Sequence, residues 1–313
     1  MNIKEEKKME KICIVLVNYN GKSYNDKCLA SIFESTVADQ IQVVVVDNHS
    51  SDGSRESLYE KWGNDNRVHI IALDENAGFA KANNVGLRWA MKNGITHYLL
   101  LNNDTEIEPD AIECMWKCHE ENDCIVTPKI YYADQKNVLW SAGGRFTPVI
   151  KKPVQVALNE RDSDKYNQNR DCDFANGCAL FFDEDILNRT GLLDESFFLY
   201  YEDTEFSARA QKKGIRIRYC ADAKIYHKVN GSTKGNHSQV NVYYITRNWL
   251  IYCKMYLGWK IGLFWAYFTL NRLAWGIIWL MQGKPQMLKA MMQGIKDYFV
   301  WVRKPDMYCD KYQ

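Results

Sequence analysis

The chain has almost no net charge, with 40 Lys and Arg against 39 Asp and Glu in 313 residues. Nucleic acid binding needs a concentrated basic surface, so the overall balance gives no support to that class of partner. No Gly-x-Gly-x-x-Gly follows the first apolar run, which argues against a dinucleotide dehydrogenase. The absence of Gly-x-x-x-x-Gly-Lys-Ser/Thr argues against a P-loop. A signal-peptide core is also lacking: MNIKEEKKMEK mixes both charges, and the apolar stretch 12–17 behind it is too short, so secretion is not expected. The ten cysteines include no Cys-x-x-Cys pair, and Cys114, Cys118 and Cys124 therefore lack the knuckle of structural zinc sites. Others, among them Cys13, Cys28, Cys178 and Cys253, sit in apolar segments and read as reduced cytosolic thiols in a chain long enough to bury a core without staples.

What the sequence does contain is a repeated strand and helix pattern. Residues 12–17 and 41–46 are β-branched runs without polar alternation, as expected of strands buried on both faces. Between them, residues 27–35 carry Leu29, Ile32 and Phe33 at helical spacing. The pattern recurs with a strand at 68–72, a helix over 80–93 closed by Gly94, and a strand at 97–101. Such βαβ units predict an α/β fold with a mostly parallel, doubly wound sheet, whose ligands bind beyond the carboxyl ends of the strands.

Residues 128–173, with Pro128, Gly143-Gly144, Pro148, Pro153 and a long polar run, predict strands joined by a mobile loop. Order is expected to return over 174–226 as a strand, a helix carrying Asp203 to Lys213, and strands through 215–219 and 223–226. The tail differs from everything before it, with six tryptophans and interspersed Lys and Arg over 242–303. Aromatic rings flanked by cations fit helices lying in a membrane interface, and a buried helical or oligomer surface fits as well. A span over 261–281 would bring Arg272 near the bilayer centre, at about 2.5–3.5 kcal/mol on insertion scales.

Polar residues cluster where the strands run out. Asn18-Tyr19-Asn20-Gly21 follows the first strand and Asp47-Asn48 the second, where a carboxylate can bond a base or ribose; turn chemistry alone explains most of DNHSSDGS, and its position opposite Asn18 and Tyr19 shifts the balance. Asn102-Asn103-Asp104 ends the strand at 97–101. Asp104 there suits a hard cation bridging to a diphosphate, and it suits equally the cap of a helix beginning near Pro109. Glu202-Asp203 opens a helix whose Glu205, Arg209 and Lys213 would form a solvated ladder. The aromatic run 197–201 just upstream could instead desolvate a carboxylate and hold it as a base. His227 ends a strand-like stretch and is available as a second metal ligand.

Taken in order, VNYNG, VVVVDNHSSDGS, NAGFAKANN, LLLNNDTEI, GLLDESFFLYYEDTEFSARAQKKG and His227 resemble the inverting family 2 glycosyltransferases, especially the rhamnosyltransferase-like bacterial members. The likeness runs from about residue 12 to 248. It implies one nucleotide-diphospho-sugar transferase domain of GT-A type. By that resemblance Asn18, Tyr19, Asp47 and Asn48 would cradle base and ribose. Gly78, Asn84 and Lys81 would lie near the nucleotide and its diphosphate, with Asn102 and Asn103 beside them. Asp104 would bind Mg or Mn with His227, and Asp203, or Glu202 in its place, would be the catalytic base. Asn102 departs from the family's first Asp and hints at a dTDP-rhamnose donor.

The expected organisation is a flexible segment 1–10, a transferase domain 11–240 and a helical, aromatic-rich extension 241–313. The expected activity is transfer of a sugar to a surface-glycan or lipid-linked acceptor by a cytoplasmic protein peripheral on the inner face of the membrane, with an oligomer left open. A nucleotidyltransferase is the rival enzyme, though the loop after the first strand lacks the glycines and arginine that hold a triphosphate. A non-catalytic sugar-nucleotide binder or membrane scaffold is the rival outside enzymes.

Overall fold

The computed structural model describes residues 11–229 and 238–304, so the segment 1–10 expected to be flexible lies outside the described residues. The apolar runs become strands β1 (Ile12–Asn18), β2 (Ile41–Asp47), β3 (Val68–Ala72) and β4 (His97–Asn102). They are joined by helices α1 (Asn25–Phe33), α2 (Ser54–Trp62) and α3 (Gly78–Lys92). These strands pair in parallel in the order β3-β2-β1-β4. Neighbouring residues on each strand face opposite sides, so Ile14 packs with Leu29 and Ile32 of α1 while Val15 packs with Ala80 and Leu87 of α3. Both sides are covered, which explains runs with no polar alternation. Each such side chain contributes about 1.5–3 kcal/mol of burial.

The second half adds β5 (Thr105–Ile107), α4 (Ala111–Asn122), β6 (Cys124–Tyr132), β7 (Gln135–Ala142), β8 (Gly144–Phe146), β9 (Pro153–Gln155) and β10 (Arg170–Asp171). Then follow β11 (Ala179–Asp183), α5 (Glu184–Thr190), α6 (Glu202–Lys212) and β12 (Arg216–His227). β11 inserts antiparallel between β4 and β6, β6 and β12 pair in parallel, and the main order is β10-β12-β6-β11-β4-β1-β2-β3. α1 and α4 cover one face, and α3, α5 and α6 cover the other.

Two expectations for this half change. Pro128 lies inside β6 and does not end it. Opposite Pro128 the register of β12 jumps from Cys220 to Lys224, so the ladder is interrupted where proline has no N–H to give. The bulge also exchanges faces: Ile217 packs on the α3 and α6 side, and Ile225 on the α1 and α4 side. The polar run after Pro153 is strapped down, since Asp162 accepts from the buried Lys129 ammonium (3.2 Å) and the Tyr131 hydroxyl (2.5 Å). Asn167 takes a further bond from Lys129 (2.6 Å).

The tail folds as α7 (Gln239–Tyr256), α8 (Ile261–Met281) and α9 (Pro285–Arg303). α7 is enclosed, with Trp249, Leu250, Tyr252 and Cys253 packed around Phe197 of the main domain. α8 turns Phe264, Phe268 and Trp279 inward and leaves Leu263, Leu270, Leu273, Ile277 and Leu280 exposed. Arg272 also points inward, its guanidinium 5.2 Å from the Trp249 ring and 5.3 Å from that of Phe268. Among the described residues no helix is long and apolar enough to cross a membrane.

Candidate functional site

At the carboxyl end of β4 the chain turns through Asn103 and Asp104 and returns as β5, which pairs antiparallel with the last residues of β12 so that Thr105 faces His227. This register brings Asp104 Oδ1 within 3.1 Å of His227 Nε2. Asp104 Oδ1, His227 Nδ1 and the nearby Asn102 Oδ1 are all buried without a hydrogen-bond partner. Orphaned polar atoms of this kind are costly inside a protein. A carboxylate oxygen beside an imidazole nitrogen is a donor set that a divalent cation would satisfy, so these residues fit the expected metal. Trp140 packs edge-on against the imidazole with ring centroids 4.6 Å apart. Burial disfavours the imidazolium, but the Cys178 sulfur and the Asp104 carboxylate outweigh it and push the His227 pKa up to about 10. The rival reading of Asp104 as a helix cap fails, because the residue before α4 is Asp110.

Asp203 lies in the first turn of α6. Its Oδ2 accepts from the Gly177 amide (2.8 Å), and its Oδ1 accepts from the amide and hydroxyl of Thr204 (2.6 and 3.1 Å). Burial raises its pKa above the usual carboxylate range, and the bonds from Gly177 and Thr204 hold it back. Burial and the adjacent Asp203 charge raise Glu202 further, and Glu202 Oε2 has no partner. The ladder expected on this helix belongs to Glu205, which is buried, binds Arg209 at 2.7 Å and accepts from the Tyr256 hydroxyl at 2.6 Å. It leaves Glu202 and Asp203 untouched.

One tripeptide joins these two groups. Asn176 accepts the Cys178 amide in a tight turn (2.8 Å), Gly177 holds Asp203, and the Cys178 carbonyl accepts the Asn102 amide (2.9 Å). The carboxylate of α6 and the metal-compatible end of β4 are thereby fixed to the same three residues.

On the other side of the rim, Asn18 is fully enclosed. Its Nδ2 donates to Asp47 Oδ1 (2.7 Å) with the Ser50 and Ser54 hydroxyls at 3.0 and 2.9 Å, and its Oδ1 accepts from Asn25 and Asn103 (2.9 and 3.1 Å). Gly21 permits this packing, because a Cβ there would lie 2.2 Å from Asn103 Nδ2. Asp47 is also enclosed and bonds Arg55 at 2.8 Å, while Asn48 ties Asn76 (2.9 Å) to the Ala77 amide (2.8 Å). Asn84 bonds the Leu193 backbone from both ends of its amide (2.9 and 3.0 Å). In this structure Asn18, Asp47, Asn48 and Asn84, expected beside the nucleotide, have their polar atoms bonded to other protein groups. Tyr19, 40% exposed, and Lys81, 3.6 Å from Glu75, are the selected residues that reach outward. Gly78 adopts φ +80°, with Phe198 where a Cβ would sit. Arg55, Asn25, Trp140 and the 176–178 turn escaped sequence reading, because nothing local marks them.

The chain and its fold match known proteins. The family model for glycosyl transferase family 2 matches residues 13–189, more than half of the chain. A low-salt glycan biosynthesis hexosyltransferase of Haloferax volcanii is 28% identical over 77% of this chain and 74% of its own length. A dTDP-rhamnosyl transferase of Shigella flexneri is 26% identical over 76% of this chain and 78% of its own. Among solved structures, the GalNAc-T7 complex with UDP, GalNAc and Mn2+ superposes with a TM-score of 0.58 at 16% identity over 77% of this chain, which spans 48% of that one. That likeness bears on the GT-A-like fold. The chain belongs to glycosyl transferase family 2 and is a glycosyltransferase that takes its sugar from a nucleotide-sugar donor.

Proposed function

We propose that this glycosyltransferase is metal-dependent and inverting, and that it moves rhamnose from dTDP-rhamnose to a hydroxyl of a surface-glycan or lipid-linked acceptor at the inner face of the membrane. The observation that carries the reading is the 176–178 turn, which bonds the Asp203 carboxylate and the Asn102 amide at the end of β4, two residues before Asp104, which pairs with His227. Asp203 removes the proton of the acceptor hydroxyl as its oxygen bonds to the anomeric carbon. The bond from that carbon to the diphosphate breaks on the opposite side, and the nucleoside diphosphate leaves. Asp104 and His227 would hold Mg or Mn, which when bound supplies positive charge against the diphosphate. Tyr19, Gly78, Lys81, Asn102 and Asn103 line the donor's side, braced by Asn18, Asp47, Asn48 and Asn84. Glu202, whose Oε2 has no partner to aim it where Asp203 is held by Gly177 and Thr204, is the lesser choice of base.

The rhamnose assignment draws on Asn102, an amide in place of a carboxylate, and on the Shigella flexneri relative. The membrane assignment draws on the exposed apolar side of α8 together with eight basic residues against one acid, Asp297, over residues 254–304. Asp203→Asn tests the core of the reading. Transfer should fall by about 100- to 10,000-fold while donor affinity, read by thermal shift, stays within twofold. Full retention of transfer would remove Asp203 as the base. The same thermal-shift assay across nucleotide sugars should single out dTDP-rhamnose.

A further inference from the structure

The turn that delivers Glu202 and Asp203 is strained. Tyr200 and Tyr201, the two residues ahead of α6, are both left-handed (φ 67° and 74°), a conformation that non-glycine side chains disfavour and that persists only where the surroundings impose it. The constraint comes from α7. Asn248 is fully enclosed, and its Nδ2 donates to the carbonyls of both Leu199 and Tyr200, each at 2.8 Å. Arg247, equally buried, donates to the Ser196 carbonyl, and Asn241 accepts from the Tyr200 hydroxyl at 2.8 Å. Phe198 stacks on Tyr244 with ring centroids 5.2 Å apart. On its other side the same segment meets the donor loop, where the Phe198 carbonyl accepts the Phe79 amide at 2.7 Å.

We infer that Asn248 is a positioning residue for transfer: by holding the left-handed Tyr200–Tyr201 turn it aims the Asp203 carboxylate, which makes the C-terminal extension part of the catalytic apparatus. The inference rests on the reading of Asp203 as the base. Its effect should appear chiefly in the chemical step, because Asn248 bonds the carbonyls of Leu199 and Tyr200 in the turn that leads into Asp203.

The test is a double-mutant cycle on the full chain, with kcat, donor KM and Tm measured for each variant. Asn248→Ala should lower kcat by about 10- to 100-fold, the scale of a small misplacement of a reacting group, with donor KM within twofold. Added to Asp203→Asn it should cost nothing further, since its action passes through the carboxylate. Tyr200→Phe removes the hydroxyl that bonds Asn241 and keeps the ring. It should give a loss of a few fold in kcat alone, and it carries the test if Asn248→Ala does not fold. Unchanged kcat in the folded variants, or an equal loss with and without the Asp203 carboxylate, overturns the positioning role and leaves the base intact. Transfer surviving in Asp203→Asn alone would instead overturn the base.

Discussion

On the β1–β2 side of the rim, each polar group of Asn18, Asp47 and Asn48 meets another protein group, and the network closes on Arg55, Asn25 and Asn76. Across the rim, Asn102, His227 and Glu202 each keep a buried oxygen or nitrogen with no hydrogen-bond partner, and Asp104 Oδ1 faces the His227 imidazole 3.1 Å away. Both sides are rich in Asn and acidic residues, so composition does not distinguish them. The difference lies in saturation. A satisfied network rigidifies its surroundings, and an unsatisfied one is a standing cost that persists where a ligand or a reaction uses it. The first side is internally braced, and the second leaves polar atoms for the binding and reaction proposed for it.

Three substitutions probe that contrast, in order of expected size. Asp104→Ala removes one of the two metal-compatible donors. Losing even a supporting partner of a metal ligand costs about 10–100-fold in affinity, so metal-supported donor binding should fall at least that far. Titration of nucleotide sugar with Mn or Mg and again with chelator would show it, and equal affinities in the two would separate Asp104 from any metal. Asn18→Ala breaks the saturated side. Each group left without a partner costs about 1–3 kcal/mol, so the denaturant midpoint should drop while kcat of the folded fraction is kept.

Glu202→Gln is the smallest and has the opposite sign. The folded pKa of Glu202 lies above its unfolded value of about 4.3, so the folded state binds the extra proton and stability falls as pH rises through that interval. Glutamine carries no such burden. The variant should melt higher at pH 7, by about 2–4 °C for each 1 kcal/mol recovered, and the gain should vanish below about pH 4. A lower Tm at both pH values would mean that Glu202 makes a stabilising contact as a carboxylate.

The same contrast decided how much could be read from sequence. β1, β2 and β4 were legible because burial on both faces leaves continuous apolar runs. α2 was not, since of its nine residues only Ser54 and Leu58 are buried, and the turn-rich stretch before it hid its start. Asp104, His227 and Asp203 could be singled out from sequence because they stand at strand and helix ends, and the structure sets Asp104 beside His227. Their connection was hidden: Gly177 meets Asp203 from 26 residues away, and Asn248 grips Tyr200 from 48 residues away. A local pattern carries no trace of such contacts. Pro128 misled for a related reason, because the concession that lets it sit in β6 is made on β12.

That concession has a genetic consequence. Positions along a strand alternate between the faces of a sheet, so an odd-numbered residue of β12 keeps its side only until the chain skips an odd number of steps. Between Cys220 and Lys224 it skips three, and Ile217 and Ile225 end on opposite sides. Deleting one residue from 221–223 would leave a skip of two, so His227 would keep its place opposite Thr105 only by a different path through the bulge. A frame-preserving loss of one codon there would act on the orientation of His227 without replacing any residue of the site.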